Sequence, residues 1–426
     1  MKKVIKLLAV YLSLMIINVA CQTIINDEVK EYYPNGQLKY VGNQTTDEKR
    51  TGEWNFYFEN GNRKATVSFD DGIESGGYKT YYESGKIKEI GTYANGKIDG
   101  GHQKYFENGQ LFAKGNIENE KQVGKWEYYF ENGQLNNTGA YIDGLHSGVW
   151  TYYFENGKLQ STGSYEKDIK NGAWKFYYES GVVKSVENYS NGKIVGKSEL
   201  YYENGQLENT SEYIDGKRSG SYISYYKSGQ LYQKGQYKDG LSTGEWESYH
   251  ENGQLEFKAK LINGNKIGEW IIYHDNGKVD EVNEYSEGES VGEYKCYYKS
   301  GKIKKSGRFN LGKEIGFWKL YFENGNLRQT GNYIDGIKNG EWKEYYEDGQ
   351  LKQVGTIDNN SKNGEWKGYY NNGHLAYKGS YTNGKENGAW YYYRENGNLG
   401  RSGNYSNGEK IGKWNVYDID GHLQTK

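Results

Sequence analysis

Proline is almost absent from this chain, with one residue among 426. Cysteine occurs twice, methionine twice and histidine six times. A collagen helix needs abundant proline and glycine at every third place, so the 60 glycines serve another purpose. The two cysteines, Cys21 and Cys296, are too few for a disulfide framework or a cysteine-rich zinc site. Apolar residues make up only 35% of the chain with every aromatic counted, and the mean hydropathy is −1.01. An ordinary core of leucine, isoleucine and valine is therefore excluded. Charge of one sign is missing too: 54 basic and 56 acidic residues leave −2, which gives no field to recruit nucleic acid. The main apolar stretch, Leu7 to Ile17, has 11 residues, well short of the ~20 that a membrane span needs.

What the chain has in excess is glycine and aromatic rings. The 46 tyrosines, 12 phenylalanines and 11 tryptophans exclude a disordered tract, which lacks aromatics. A short repeat explains both excesses. Glycines at 36, 61, 85, 109, 133 and onward to 421 recur every 24 residues, with a single interval of 25 at the start. Tyrosine stands four residues before this glycine in all 17 units. A second glycine stands nine before it in 16 units, and all 11 tryptophans stand seven before it. No insertion interrupts the period, so one array is expected over residues 31–426.

Each unit reads as a β-hairpin. Asn-Gly between alternating strands is a strong signal for a two-residue type I′ turn. Folding the chain about that turn sets Phe130 opposite Leu135, Trp126 opposite Gly139 and Gly124 opposite Tyr141. Alternation places these residues on one face, with each tryptophan ring lying over the glycine it faces across the hairpin. Gly124, Gly148, Gly172, Trp126, Trp150 and Trp174 are the structural signature of this face. The segment from Tyr141 to Gly148 reads as a looser loop on the opposite edge. The expected fold class is all-β: an elongated, single-layer twisted meander of about 16 stacked antiparallel hairpins, or about 33 strands.

Chemistry is harder to find. His250 and His274 occupy one repeat position, so their backbones stand ~9.6 Å apart in adjacent hairpins, too far for easy joint ligation. They replace an aromatic side chain, and no metal or cofactor is expected. No catalytic serine–histidine–aspartate arrangement or phosphate-binding loop emerges, and an enzyme is not expected. Glu59, Glu83, Glu107, Glu131, Glu155, Glu179 and Glu203 form a column at the Asn-Gly edge. Cross-strand pairing, such as Glu83 with Lys86 and Glu155 with Lys158, is its expected role. The column Tyr105, Tyr129, Tyr153, Tyr177 and Tyr201 falls on the face opposite tryptophan. It reads either as ring packing from repeat to repeat or as a stacking platform for a ligand.

Two resemblances complete the reading. Lys2, Lys3 and Lys6 precede the apolar stretch, and Val19-Ala20 precede Cys21, an arrangement that resembles a bacterial lipoprotein signal. It implies a signal over residues 1–20, lipidation of Cys21 and a short linker over 21–30, with a simple secreted form as the alternative. Gln22 in place of aspartate implies the outer membrane within the cell envelope. Units such as Tyr-Tyr-Phe-Glu-Asn-Gly-Gln-Leu at 128–135, followed by Gly139, Tyr141, Gly144, Gly148 and Trp150, resemble the MORN-variant repeats of bacterial proteins. Many of those carry the label of antitoxin components of the YwqK family. The resemblance implies stacked hairpins acting as an interaction scaffold. The expected function is a non-enzymatic, membrane-anchored scaffold for a protein partner. Glycan or cell-wall binding and an antitoxin role are the alternatives, and a homodimer through the tryptophan stripe is a further expectation.

Overall fold

The computed structural model describes residues 27–424. The lipoprotein-type signal and Cys21 lie outside the described residues. Among the described residues the secondary structure is all β, with 35 strands. Two of these, Lys97–Ile98 and Lys193–Ile194, are two-residue fragments of longer strands, which leaves 33 of ordinary length. The chain divides into two compact units, the first ending at Lys193 and the second beginning at Ile194. Both are built from the same antiparallel hairpin. In the first unit, the strand Lys121–Tyr129 pairs with Leu135–Ile142, which pairs in turn with Leu145–Tyr153.

The expected register holds at the centre of the hairpin. Trp126 faces Gly139 and Gly124 faces Tyr141. It fails at the Asn-Gly end, where Tyr129 rather than Phe130 faces Leu135 and a bulge lies between Tyr128 and Tyr129. The turn itself is not type I′. The Phe130 N–H donates to the Gln134 carbonyl at 2.8 Å and the Gly133 N–H to the Phe130 carbonyl at 2.9 Å. Only Gly133 has positive φ, at 85°. Glu131, Asn132 and Gly133 thus form a three-residue loop, a type I turn closed by a left-handed glycine. Asn132 ties the loop to its surroundings. Its Oδ1 accepts the Gln134 N–H at 2.9 Å, and its Nδ2 donates to the Glu155 carbonyl of the next repeat at 3.0 Å. The same link to the next repeat recurs at Asn35, Asn108, Asn252 and Asn372.

The tight type I′ turn sits instead at the edge that reads as loose. Ile142 pairs with Leu145, and Asp143 and Gly144 between them have φ of 53° and 82°. Both central residues need positive φ in such a turn, which explains the run of Asn, Asp and Gly there. Beyond it, Gly139 faces the stretch Gly148-Val149-Trp150, because pairing jumps from Ala140–Ser147 to Thr138–Thr151. Gly148 absorbs this bulge with φ of 68°, as Gly124 does at 64° and Gly172 at 77°. A methyl group at Gly148 would touch nothing, so glycine is required there for its backbone alone.

The bulge directs the indole backwards. The Trp150 ring covers Gly139, and Trp126 covers Gly115, each on the strand before the tryptophan's own and not on the strand after it, where the covered glycine was expected. Trp126 is paired across its hairpin with Gly139 but leans the other way. Its Nε1–H donates to the Asn116 carbonyl at 3.0 Å, as Trp150 does to Ala140 at 3.1 Å and Trp174 to Ser164 at 3.0 Å. In these three repeats tryptophan fills the space over a glycine and satisfies a carbonyl that the bulge removes from the ladder, whereas Trp318, Trp342 and Trp414 cover their glycines with no hydrogen-bond partner for Nε1 among the described residues. Trp126, Trp150 and Trp174 are 3%, 1% and 1% exposed, so this stripe is already closed within a single chain. Burying roughly 150–250 Å² per indole at ~25 cal/mol/Å² stabilises each by about 4–6 kcal/mol before ordering is counted.

Candidate binding face

The face opposite tryptophan carries the tyrosine column. Tyr105, Tyr129, Tyr153, Tyr177 and, in the second unit, Tyr201 are all half-buried. Among the described residues no ring contact joins successive members, so repeat-to-repeat ring packing is not what holds them. Each hydroxyl with a described partner reaches two residues back along its own strand. Tyr129 donates to Glu127 Oε2 at 2.7 Å, Tyr201 to Glu199 at 2.7 Å and Tyr105 to Gln103 at 2.6 Å. Lysines complete the unit. Lys114 and Lys125 reach the two Glu127 oxygens at 2.8 and 2.7 Å, and Lys114 also lies 5.8 Å from the Tyr129 ring centre. The second unit repeats this with Tyr249, Glu247 and Lys234. Glutamate or glutamine six before the turn glycine is the sequence signal for this partner.

Electrostatics follow from those contacts. Hydrogen bonds from Lys114, Lys125 and Tyr129 lower the Glu127 pKa to about 2. The hydrogen bond to Glu199, with burial, pushes Tyr201 up to about 12. Glu127 is more acidic folded than unfolded, so its contribution is complete above an ordinary carboxylate pKa and is lost as pH falls through about 2. Denaturant melts from pH 5 to 2 should therefore show a pH-dependent loss that shrinks in Glu127→Gln. Equal slopes for both proteins would show that Glu127 is not engaged.

One stretch of this face is hollow. Gly101 stands where the next repeat carries Lys125, and the preceding repeat has glycine there too, Gly77. An open groove of about 620 Å³ results, lined by Gln103, Lys114, Asn116, Lys125 and Glu127 among others. It lies between two members of the tyrosine column.

Other expected sites resolve into structure. His250 and His274 do not meet: each ring Nε2 points at a backbone carbonyl of the next repeat, Tyr273 at 3.0 Å and Tyr297 at 3.1 Å. They replace tyrosines whose hydroxyls make the same link, such as Tyr202 to the Tyr225 carbonyl and Tyr226 to that of Tyr249. The glutamates at the Asn-Gly edge occupy the three-residue loop, and neither Glu83–Lys86 nor Glu155–Lys158 is an ion pair among the described residues. Lys158 Nζ reaches the Ser180 carbonyl instead. Asp418, Asp420 and His422 bring three donors within 4.8 Å of one another. Asp418 Oδ1 there already accepts the backbone N–H groups of Asp420 and His422.

One feature of the tryptophan face escaped sequence reasoning. Eleven residues before the turn glycine, a cation folds over the indole. Lys170 lies 4.3 Å from the Trp174 ring centre, Lys266 4.3 Å from Trp270 and Lys362 4.1 Å from Trp366. Burial holds the Lys170 and Lys362 ammonium groups below the usual lysine range. His146 takes this place over Trp150, with its Nδ1 2.5 Å from Asp168. The signal was a basic residue eleven before the turn glycine in eight of sixteen units, from Arg50 to Lys410, divided among lysine, arginine and histidine.

No curated protein matches the chain. Solved structures that resemble it include a TcdB2–TccC3–TEV assembly, at 12% identity and a TM-score of 0.16, over 93% of this chain and 23% of that one. Another is a Photorhabdus luminescens Tc holotoxin pore with the TccC3 mutation D651A, at 13% identity and a TM-score of 0.16, over 92% of this chain and 26% of that one. The chain thus spans about a quarter of the length of these structures. The family model described as MORN repeat variant matches 14 segments, from 28–44, 50–71 and 76–95 through 122–143 to 362–383, together well over half of the chain. This chain belongs to the family of MORN repeat variant proteins.

Proposed function

We propose that this protein is a non-enzymatic scaffold of the bacterial cell envelope, tethered through a lipidated Cys21, whose tyrosine face, its outer face, binds a protein partner. The observation that carries the reading is the repeated unit of tyrosine, acid and lysine on one face, as at Tyr129, Glu127 and Lys114. Its ion pairs hold half-buried rings and charged groups at fixed positions, and a repeated surface of this kind suits extended recognition. The groove beside Gly101 gives that surface a concave point of entry. Outer-membrane placement follows from Gln22 after the lipidated cysteine.

Two experiments test this reading. Cys21→Ala should move the protein out of the membrane fraction, and an unchanged fraction would sink the anchor. Pull-downs from envelope extract should recover a partner that is lost when Lys114 and Lys125 are both changed to glutamate. Equal recovery by both proteins would remove the outer face from the interaction. The half-exposed tyrosine rings also favour a second reading, glycan binding, since such rings stack on sugars. Retention on purified peptidoglycan or polysaccharide at low salt decides it. An antitoxin role would show as relief of toxicity from a neighbouring toxin-like reading frame.

A further inference from the structure

On the tryptophan face a full aromatic frame in the second unit has a carboxylate where sister frames such as that of Trp174 hold a lysine. In the first unit, Trp174, Phe176 and Tyr189 surround the Lys170 ammonium at 4.3, 4.8 and 5.0 Å from their ring centres. Trp174 and Phe176 stack 5.8 Å apart at 24°, and Trp174 meets Tyr189 edge-on at 6.4 Å and 74°. In the second unit, Trp390, Tyr392 and Tyr405 build the same frame: 5.8 Å at 26° for the stacked pair, and 5.7 Å at 76° for the edge-on pair. The residue in the place of Lys170 is Glu386, which pairs across its turn with Tyr381.

A carboxylate is a poor neighbour for the electron-rich face of an indole, whereas an ammonium is a favourable one. The chain shows how it resolves this conflict elsewhere. Glu314 occupies the equivalent place before Trp318, and there Lys305 comes in from the preceding strand. Its ammonium lies 2.8 Å from the Glu314 carboxylate and 4.3 Å from the Trp318 ring centre. At the frame around Trp390 the place of Lys305 is taken by Tyr377, which stacks on Trp390 at 5.8 Å. Among the described residues Glu386 has no ion-pair partner within 4 Å, and no cation lies over Trp390. One cation of the chain touches the frame, Arg401 at 4.2 Å from the Tyr392 ring centre, and Lys362 lies over Tyr381 at 5.1 Å, but both leave the place beside Glu386 over Trp390 to another group.

We propose that Glu386, Trp390, Tyr392 and Tyr405 form a receptor for a lysine side chain supplied by a protein partner. Five sister repeats hold a lysine of this chain 4.1–4.8 Å from the tryptophan ring centre, which makes a primary ammonium on a four-carbon stem the group this frame fits. Trp390 is only 2% exposed and is flanked by Tyr377, Tyr381, Tyr392 and Tyr405, so the ligand enters with a local rearrangement of these side chains and its ammonium pairs with Glu386. The site lies on the tryptophan face and is independent of the outer-face unit of Tyr129, Glu127 and Lys114. Its failure would leave the tethered-scaffold reading intact, and the converse also holds.

The test is a titration of the full chain with Nα-acetyl-lysine methylamide, followed through the indole N–H signals by NMR. The Trp390 signal is identified by its loss in Trp390→Phe. Wild type should show a saturable shift of that signal in the millimolar range, and the Nε-acetylated probe, which is uncharged, should give none. Glu386→Lys places an internal ammonium in the frame and should weaken binding at least tenfold while melting no earlier than wild type. Glu386→Gln should weaken binding several-fold. Absence of a saturable shift in wild type, an equal shift in Glu386→Lys, or a response to the acetylated probe would each overturn the proposal.

Discussion

Trp150→Ala is expected to destabilise its part of the array by about 3–5 kcal/mol, the range for removing a large buried aromatic side chain. The indole is 1% exposed and packs edge-on against Tyr141 at 5.1 Å and against His146 at 4.3 Å. Its removal uncovers Gly139 and leaves the Ala140 carbonyl without its 3.1 Å donor. Three losses coincide: apolar burial, ring contacts and a hydrogen bond. In a repeat array stability is close to a sum of nearest-neighbour terms, so the damage should stay local. Hydrogen exchange should accelerate mainly in the strands Leu135–Ile142, Leu145–Tyr153 and Leu159–Glu166. Trp270→Ala serves as the internal comparison, because Trp270 is only half-buried and should cost clearly less. Equal losses at the two sites, or a loss at Trp150 below about 1 kcal/mol, would contradict this account.

The second large effect separates two glycines that look alike in the sequence. Gly139→Ala should destabilise by about 1–3 kcal/mol, since its methyl group would overlap the Trp150 ring. Gly148→Ala should cost about 1–2 kcal/mol for another reason: its φ is 68° and a methyl group there meets no atom. A double-mutant cycle with Trp150→Leu distinguishes the two causes. The smaller side chain should relieve most of the penalty at Gly139 and none of the penalty at Gly148. The same relief at both positions would mean that both are packing sites, and the bulge assignment would fall.

Much of this architecture was legible because its signals are local and strictly periodic. A 24-residue interval with tryptophan at a single place establishes hairpins of fixed length. Strand alternation then sets Trp126 against Gly139 and puts Tyr129 on the other face, as the structure has them. The two turns were harder to tell apart, because Asn132-Gly133 and Asp143-Gly144 are the same kind of dipeptide. Which of them is the two-residue turn depends on one residue of slack in each strand. That slack is taken up by bulges at Tyr128/Tyr129 and at Gly148; the first has no residue signature, and the periodic glycine of the second reads equally well as a gap beneath a ring.

For the binding face, the tyrosine column was visible and its partners were not. The acid two residues before Tyr129 is Glu127, but that place varies from repeat to repeat, and Lys114 comes from a different hairpin. The sequence by itself determined that this protein is a β-hairpin array of the MORN-variant type, with tryptophan on one face and tyrosine on the other. Only the tertiary structure decided which glycine each indole covers, because both neighbouring strands stand ~4.8 Å away and the bulge alone tips the ring toward one of them. It likewise decided that a lysine far from tryptophan in character lies over its ring, and that Glu386 stands in the place of that lysine before Trp390. Those contacts arise from where the bulge sends a side chain through space.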